Sequence, residues 1–511
     1  MSEAPDATVP HAWVPPNAVR VSTPATWGTE RTKVGAEGER LRSRVHPAAN
    51  SWRRWAAMSE RFDVIVLGAG PGGEVVVFRL APKGLKVALV EAELIGGECA
   101  YWACVPSKTL LRPSEIADEG RRGYGTGPSA IDWPAVREYR DYMTRDWNDA
   151  KQVAEYGEMG VTVVKAAGRL AGPGVVEAGG RRLEAPHIVV GTGSVPAIPP
   201  VEGLAETGYW TNREATALQA VPASAVVLGA GPVGVELGQM MAAYGARVTI
   251  VEHGRVLGRE DPEVSRLLAE ALRARGIDVR TGVSLSRVAR KNGKIVAGLS
   301  DGQSVASDQL LVASGRRPRV RDIGLESVGL GDRDKLDVDG YGRVIGGPDG
   351  LWAVGDVTGV AAFTHVAKYQ GRAVAANILH AVTGRSEPRP LDYRAVPRVV
   401  FSDPEVAAVG LTEAAAQAAG VTVKTATAQL TAITRPYTYE KEPRGLLRLI
   451  ADAQSGVVLG AWAVGPLAGE WIHVAVIAVA ARLTGAFLRD TIYQYPTFAE
   501  AYLSAAEQLA G

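Results

Sequence analysis

The sequence predicts an α/β fold: two doubly wound nucleotide-binding units in tandem, followed by a smaller α+β module. Three observations predict it. First, the apolar run Asp63-Val-Ile-Val-Leu ends in a glycine loop, with Gly68, Gly70 and Gly73 spaced as G-x-G-x-x-G. Second, the same loop recurs after Ala225-Val-Val-Leu, with Gly229, Gly231 and Gly234. Both loops lie 23 positions ahead of an acid closing a second apolar run, Glu91 in one case and Glu252 in the other. Duplication explains two such matches better than coincidence does. Third, glycine fingerprints stop at about residue 391, and short apolar runs and amphipathic stretches take over.

Residues 1–58 stand apart from the rest. They are rich in Pro, Ala, Arg and Ser, and they show no sustained periodicity. A disordered tail is the expected reading. A translation start at Met58 is the alternative, because Met58-Ser-Glu-Arg-Phe-Asp leads straight into the first strand. The Arg and Ser content leaves an organelle transit peptide open as well. There is no apolar h-region, so a secretory signal is not expected.

In the first unit, covering 59–198, the first glycine of the loop permits the tight turn, and the second lets backbone approach a pyrophosphate. The third lets the following helix pack closely on the strand. Free N–H groups at the helix start then face the phosphates. The next strand runs from about Lys86 to Val90, and Glu91 at its end is placed to hold a ribose hydroxyl. Leu183–Pro200 contains Ile-Val-Val-Gly-Thr-Gly-Ser-Val-Pro, a closing strand and a Gly/Pro exit. The second unit, 199–321, repeats this order and leaves through Leu310–Pro318. A return segment, 322–390, holds Leu351–Val357, a short apolar strand ending in Gly355-Asp356. An acid at the carboxyl end of a strand faces the ligand crevice of such a sheet, although a plain turn aspartate fits locally too. In the last part, 391–511, strands are expected at Val399–Phe401, Leu446–Ala451 and Val457–Val464. Helices are expected at Trp471–Leu483 and Ala499–Leu509.

Cys99 and Cys104 are the chain's two cysteines. They lie in Gly96–Pro113, with Pro106 and Lys108 close behind. By themselves they read as a redox disulfide, part of a metal site or two inert buried thiols. Zinc ordinarily takes four ligands, and this stretch offers no further cysteine or histidine, so no metal set is expected. A nucleotide fingerprint on either side favours redox chemistry. Hydride transfer moves two electrons, and a disulfide accepts two. A helix starting near Cys104 and the charge of Lys108 would both favour a thiolate there.

Composition narrows the function classes. With 46% hydrophobic and 22% charged residues the chain can bury a large core. Its 56 basic and 55 acidic residues leave a net charge of +1, which gives nucleic acid or an anionic membrane no footing as partner. No apolar run is long enough to span a bilayer. A cytoplasmic enzyme acting on a small-molecule electron acceptor is expected.

From about Met58 onward the chain resembles the class I pyridine nucleotide–disulfide oxidoreductases, which include dihydrolipoamide dehydrogenase, glutathione reductase, mercuric reductase and the soluble transhydrogenases. The Gly68–Gly73 loop, the Cys99–Lys108 motif, the Gly229–Gly234 loop and Gly355-Asp356 carry the resemblance. It implies two Rossmann-like domains, one for FAD and one for NAD(P), and a dimerisation domain that makes a homodimer. It implies FAD at the first loop, with Glu91 on the adenosine ribose and Asp356 on the ribityl–phosphate part, and NAD(P)H at the second. It implies that Cys104 lies nearest the flavin, that Cys99 meets substrate, and that Lys108 and Glu236 form an ion pair beside the flavin N5. Further cofactor contacts are implied at Pro71, Gly72, Gly97, Glu98, Thr192, Gly193 and Gly315, with Lys108 among them.

The chain departs from the family at several points. Its disulfide reductases carry a C-terminal His-Pro-Thr whose histidine exchanges protons with the dithiol. Here the segment reads Tyr493-Gln-Tyr-Pro-Thr-Phe-Ala-Glu, so Tyr495 takes the histidine's place and Glu500 keeps that of its acidic partner. Histidine titrates near neutrality, whereas tyrosine ordinarily does so at about 10. Mercuric reductases have tyrosine in that region but use a further C-terminal cysteine pair. Transhydrogenases have a similar Tyr-Pro-Thr segment with incomplete redox cysteines. Tyr101-Trp102-Ala103 also replaces the usual small or polar residues between the cysteines.

Dihydrolipoamide dehydrogenase-like reduction through Cys99 and Cys104 is the leading expectation. The alternatives are direct flavin-to-acceptor transfer, as in a transhydrogenase or quinone reductase, mercuric-reductase-like metal reduction, and a flavin-bearing binding protein without turnover. Glu252 and Gly234 favour NADH, while Arg255 keeps NADPH open.

Overall fold

The computed structural model describes residues 59–127, 129–385 and 387–510. The readings made for residues 1–58 lie outside them. The first unit begins with strand β1 (Val64–Leu67), helix α1 (Pro71–Leu80) and strand β2 (Val87–Glu91). Helix α2 (Cys104–Arg122) follows, then β3 (Thr162–Lys165) and β4 (His187–Val190). The second unit repeats the plan with β5 (Ser224–Leu228), α3 (Pro232–Ala243), β6 (Arg247–Glu252), β7 (Asp278–Thr281) and β8 (Gln309–Val312). These four strands form a parallel sheet in the order β7-β6-β5-β8. The chain then returns to the first sheet with β9 (Leu351–Ala353) and helix α4 (Thr364–Thr383). The completed order is β9-β4-β1-β2-β3, all parallel.

The continuous apolar runs follow from burial of these sheets on both faces. Val64 and Val66 of β1 pack with Val76, Val77 and Leu80 of α1 and with Val374 and Ile378 of α4. Ile65 and Leu67 face the other way, onto Leu170, Val176 and Leu183. Those three belong to an antiparallel meander, 168–184, that the sequence reading did not foresee. The second unit repeats this covering. Val227 packs toward α3 and Val226 toward a second meander over 285–307. The two Gly/Pro exits meet each other: Ser194–Pro196 pairs antiparallel with Arg316–Pro318, joining the units by a two-stranded crossing.

The C-terminal module is an antiparallel sheet of β10 (Pro397–Val400), β11 (Glu405–Gly410), β12 (Val423–Gln429), β13 (Leu446–Asp452) and β14 (Val458–Gly465). Its order is β10-β11-β14-β13-β12, and helix α5 (Glu500–Ala510) packs on it. The expected single helix over Trp471–Leu483 is instead two pieces, Ala468–Trp471 and His473–Ala480. Arg482 turns left-handed at φ 57°, and Leu483 leaves the helix so that its carbonyl accepts from the Val458 N–H at 2.9 Å. Strands β11 and β12 were missed. One is alanine-rich and the other reads Val-Lys-Thr-Ala-Thr-Ala-Gln, and neither stands out by hydrophobicity. The strand expected through Val357 stops at Ala353, and Gly355–Thr358 forms a 3₁₀ turn. Among the described residues, no helix is long and apolar enough to cross a membrane.

Both glycine loops have one geometry. Gly68 and Gly229 each sit at φ 107°, a left-handed conformation that a side chain would strain. A Cβ on Gly73 would overlap the Gly68 carbonyl, and one on Gly234 would overlap that of Gly229. Gly234→Ala should therefore force α3 off β5, at a cost of roughly 1–3 kcal/mol. A lower melting temperature is expected, with a raised KM for the nucleotide bound at this second loop and full occupancy of the first. Unchanged melting and KM would show that the helix start has slack.

Candidate active site

The two phosphate cradles are built alike. Helix α1 starts at the cap Gly70 and α3 at Gly231, and neither start has a side-chain cap. A Cβ at Gly70 or Gly231 would meet nothing within 4 Å, so backbone fronts open space where first-turn N–H groups point. That is what a pyrophosphate needs. Glu91 accepts from the Ala69 N–H at 2.7 Å and Glu252 from the Ala230 N–H at 2.8 Å. The second oxygen of each accepts from an N–H two residues on, Glu93 at 2.7 Å and Gly254 at 2.8 Å. Each carboxylate is thereby fixed at the strand end, with lone pairs left for a ribose hydroxyl. These features fit a dinucleotide at each loop, FAD at the first included.

Pro71 and Gly72 open α1, and Gly72 is buried against Val354 and α4. Gly97, at φ 59°, starts the short helix Gly97–Tyr101, where a Cβ would lie 3.0 Å from the Gly70 Cα. The cysteine motif is thus stacked on the first phosphate loop. Cys104 is the first residue of α2, whose N-terminal dipole favours an anion there. The two thiols hydrogen-bond each other, and the bond to Cys99 is the largest influence lowering Cys104, to about 6. Burial opposes this, while the Thr364 hydroxyl and the Lys108 charge add to it. Cys99 is pushed up by the same bond and by burial. These directions favour the charge on Cys104 and the proton on Cys99. Thr364 Oγ1 stands 3.4 Å from the Cys104 Sγ.

Lys108, one turn further along α2, places Nζ 2.5 Å from Glu236 Oε2 on α3. Glu236 is buried, and its other oxygen accepts from the Phe401 N–H at 3.0 Å. Lys108 Nζ also lies 4.6 Å from the centre of the Phe401 ring. Both units and the C-terminal module meet at this pair. Asp356 accepts from Ser194 Oγ at 2.6 Å, and Ser194 Oγ accepts from Arg316 Nε at 2.7 Å. The Gly355 N–H donates to Gln370 at 2.6 Å. Asp356 is thus held at the carboxyl end of β9, beside the crossing strands.

Other predicted residues lie further out. Thr192 donates its hydroxyl to the Arg319 carbonyl at 2.7 Å, and Gly193 accepts from the Arg319 N–H at 2.9 Å. Gly315, at φ 124°, accepts from the Ala197 N–H across the crossing at 2.9 Å. Glu98 accepts from Arg213 Nε at 2.6 Å and from Asn212 at 3.0 Å, so protein donors occupy both its oxygens. Arg213 also lies 4.2 Å from the Trp102 ring, and Asn212 donates to the Trp102 carbonyl. The unusual Tyr101-Trp102 pair is accounted for by this clamp and by burial of Tyr101, whose hydroxyl meets Arg145 at 3.3 Å. Tyr495 and Glu500 are not joined to the cysteines within the chain. Tyr495 is 62% exposed and its hydroxyl bonds Thr434 at 3.2 Å, while Glu500 accepts from the Thr497 N–H at 3.0 Å. Thr364 went unnoticed in the sequence. It lies 260 positions from Cys104, and only its place at the start of a long helix after Gly355-Asp356 could have flagged it.

The comparisons with known proteins agree with this architecture. Residues 62–371 match the pyridine nucleotide-disulphide oxidoreductase family, and residues 396–506 match its dimerisation domain. The chain belongs to this family. It is an FAD-dependent oxidoreductase that uses a pyridine nucleotide. It is similar to a mercuric reductase of Streptomyces lividans, 36% identical over 462 residues and covering 87% of this chain and 96% of the relative. It is also similar to a dihydrolipoyl dehydrogenase of Zymomonas mobilis, 33% identical over 460 residues, with 87% and 97% covered. Two solved structures share the fold at TM-score 0.78, each covering 88% of this chain and 99% of the other. They are the HOCl-induced flavoprotein disulfide reductase RclA of Escherichia coli, 26% identical, and LpdA of Mycobacterium tuberculosis, 29% identical.

A thiolate at Cys104 implies a pH signature. In the NADH-reduced holoenzyme, the long-wavelength absorbance of a thiolate against oxidised flavin should be full above neutrality. It should fade as pH falls through about 6. Lys108→Met removes a charge that favours the thiolate and should move the midpoint upward. A band unchanged between pH 5 and 8 in both proteins would remove Cys104 from this role.

Proposed function

We propose that this chain is an NADH-dependent disulfide reductase in which electrons reach a small-molecule acceptor through Cys104 and Cys99. The observation that carries the reading is the convergence on one sulfur, Cys104, of a helix start, the Thr364 hydroxyl and the Lys108 charge. FAD held at the Gly68–Gly73 loop would supply the two-electron relay between the nicotinamide and the disulfide. Glu236 and Lys108 hold charge and orientation between the two nucleotide sites. Cys99 attacks one sulfur of the acceptor disulfide, its proton passing to the departing sulfur, forms a mixed disulfide and releases the first thiol. Cys104 then attacks Cys99, restores the Cys99–Cys104 bond and releases the second thiol. Each cycle gives the acceptor two electrons and two protons, supplied by the hydride and one proton from solution.

Two observations support NADH over NADPH. Glu252 sits where a 2′-phosphate would be repelled. Arg255 donates to the Gly258 and Glu260 carbonyls at 2.9 and 2.8 Å, so its guanidinium is engaged within its own loop. The match to a dimerisation domain and the exposed Ile477, Phe487 and Ile492 support a homodimer built on residues from about 391. In that dimer Tyr495 of one protomer would lie over the disulfide of the other. The boundaries 59–198, 199–321, 322–390 and 391–511 follow the crossing strands and the change of sheet.

Direct transfer from flavin to acceptor is the second reading, and Tyr495 in the place of a histidine favours it. Metal reduction has support in the names of several relatives, yet with both thiols in the redox motif the chain holds no second pair to receive a metal ion. Assays of Cys104→Ser separate the first two readings. Loss of lipoamide reduction with retained quinone reduction is expected. Tyr495→His should raise lipoamide turnover near neutral pH by up to about 10²-fold, and Tyr495→Phe should change it little. Wild-type rates for every acceptor in Cys104→Ser would establish direct transfer.

A further inference from the structure

Glu252 and Arg255, the two residues that bear on coenzyme choice, open the segment after β6. Residues 253–261 lead from the end of that strand to the helix Pro262–Ala274. The segment lies against the second glycine loop. Leu257, left-handed at φ 48°, donates its N–H to the Ala230 carbonyl at 2.9 Å. Glu260 closes the turn by donating its N–H to the Leu257 carbonyl at 2.8 Å. Within this turn the Arg255 guanidinium donates to the Gly258 carbonyl at 2.9 Å and the Glu260 carbonyl at 2.8 Å. Those two carbonyls compete with any anionic ligand for the Arg255 charge.

The group that pins this turn comes from 138 positions later in the chain. Arg398, on β10, forks onto both oxygens of Glu260, Nε to Oε1 at 2.6 Å and Nη2 to Oε2 at 3.0 Å. The Glu260 side chain keeps 12% of its surface and that of Arg398 26%. A fork of this kind fixes orientation as well as distance. Arg398 Nη1 also faces the Gly410 carbonyl of β11 at 3.5 Å, so the guanidinium is seated on the C-terminal sheet. Arg448 of β13 extends the clasp by donating to Glu263 at 2.7 Å, and the Glu263 N–H is capped by Asp261 at 2.9 Å. The sheet of the second unit pairs fully within itself and needs no clasp to form. Taking two charges out of water yields little net stability. Positioning explains the contact better than folding energy does.

We propose that Arg398 is a positioning residue for coenzyme choice. By clamping Glu260 it holds the 253–261 turn in the shape that keeps Arg255 on the Gly258 and Glu260 carbonyls. This rests on the NADH reading above. Glu252 sets the preference by repelling a 2′-phosphate, and Arg398 sets it by withholding the cation that would offset that repulsion. With the clamp released, the turn opens and Arg255 is free to meet the 2′-phosphate of NADPH. A residue of the C-terminal module thereby governs which nucleotide the second unit takes.

Calorimetric titration of the FAD-loaded protein with NAD⁺ and NADP⁺ tests this without turnover. KM and kcat for NADH and NADPH are measured beside it, with ferricyanide as acceptor so that the cysteines are not needed. One cation about 5 Å from a phosphate dianion in water favours binding roughly tenfold. Arg398→Met should therefore raise affinity for NADP⁺ relative to NAD⁺ about tenfold, seen in turnover as a lower KM for NADPH at unchanged kcat. Glu260→Ala should do the same. It leaves no carboxylate to capture Arg255, and it keeps the test open if Arg398→Met does not fold. Arg398→Lys keeps the charge without the fork and should restore part of the wild-type ratio. Adding Arg255→Gln to Arg398→Met should return the ratio to its wild-type value. The wild-type ratio judges the NADH reading, and its change in the variants judges this proposal. A ratio unchanged in both Arg398→Met and Glu260→Ala, or a gain that survives Arg255→Gln, would overturn it.

Discussion

The Lys108–Glu236 ion pair is the contact on which the rest of the site depends. Lys108 comes from the helix that begins at Cys104, and Glu236 from the helix that begins at the second phosphate loop. The Phe401 N–H, from the C-terminal module, satisfies the remaining carboxylate oxygen. Removing one partner of a fully buried pair costs roughly 3–5 kcal/mol because the other charge is stranded. Here the lysine keeps about a third of its surface in water, so the cost is smaller. The pair ties the helix of the redox motif to the helix of the second phosphate loop and to the C-terminal module. Other ion pairs support the same junction: Arg275 bridges Asp118 and Asp403, and Arg398 holds Glu260.

Around this junction one unit is used twice with different outcomes. The glycine loops, the capping geometry and the carboxylates at the strand ends agree within 0.1 Å in their hydrogen bonds. What differs is the surrounding structure. The first unit receives α4 and β9 from later in the chain, and with them Thr364 and Asp356. The second receives neither. The same local physics therefore serves a unit completed by returning chain and a unit built from one continuous stretch.

Much of this could be read from the sequence, for physical reasons that also set the limits. The loops were legible because a left-handed turn and a helix packed on a carbonyl both demand glycine at fixed spacing. The cysteine pair was legible through its neighbours. The Lys108–Glu236 contact, 128 positions apart, was reached only through family resemblance, since periodicity gives a residue's face and not which segment it meets. Thr364 was invisible for the same reason. The helix expected over Trp471–Leu483 failed because an apolar run continues while the backbone turns at Arg482. Glu98 was assigned to cofactor by its place in the motif, and its partners Arg213 and Asn212, more than a hundred positions away, were not foreseen.

On the electron route proposed above, Lys108 and Glu236 act as a single unit between the nucleotide sites. A double-mutant cycle on the rate of flavin reduction by NADH tests this most directly, using Lys108→Met, Glu236→Gln and the double variant under anaerobic rapid mixing. Groups in one contact couple by about 0.5–3 kcal/mol. The double variant should be little slower than the worse single variant, a coupling above about 1 kcal/mol. Additive losses, with the double variant slowed by the product of the single effects, would contradict it.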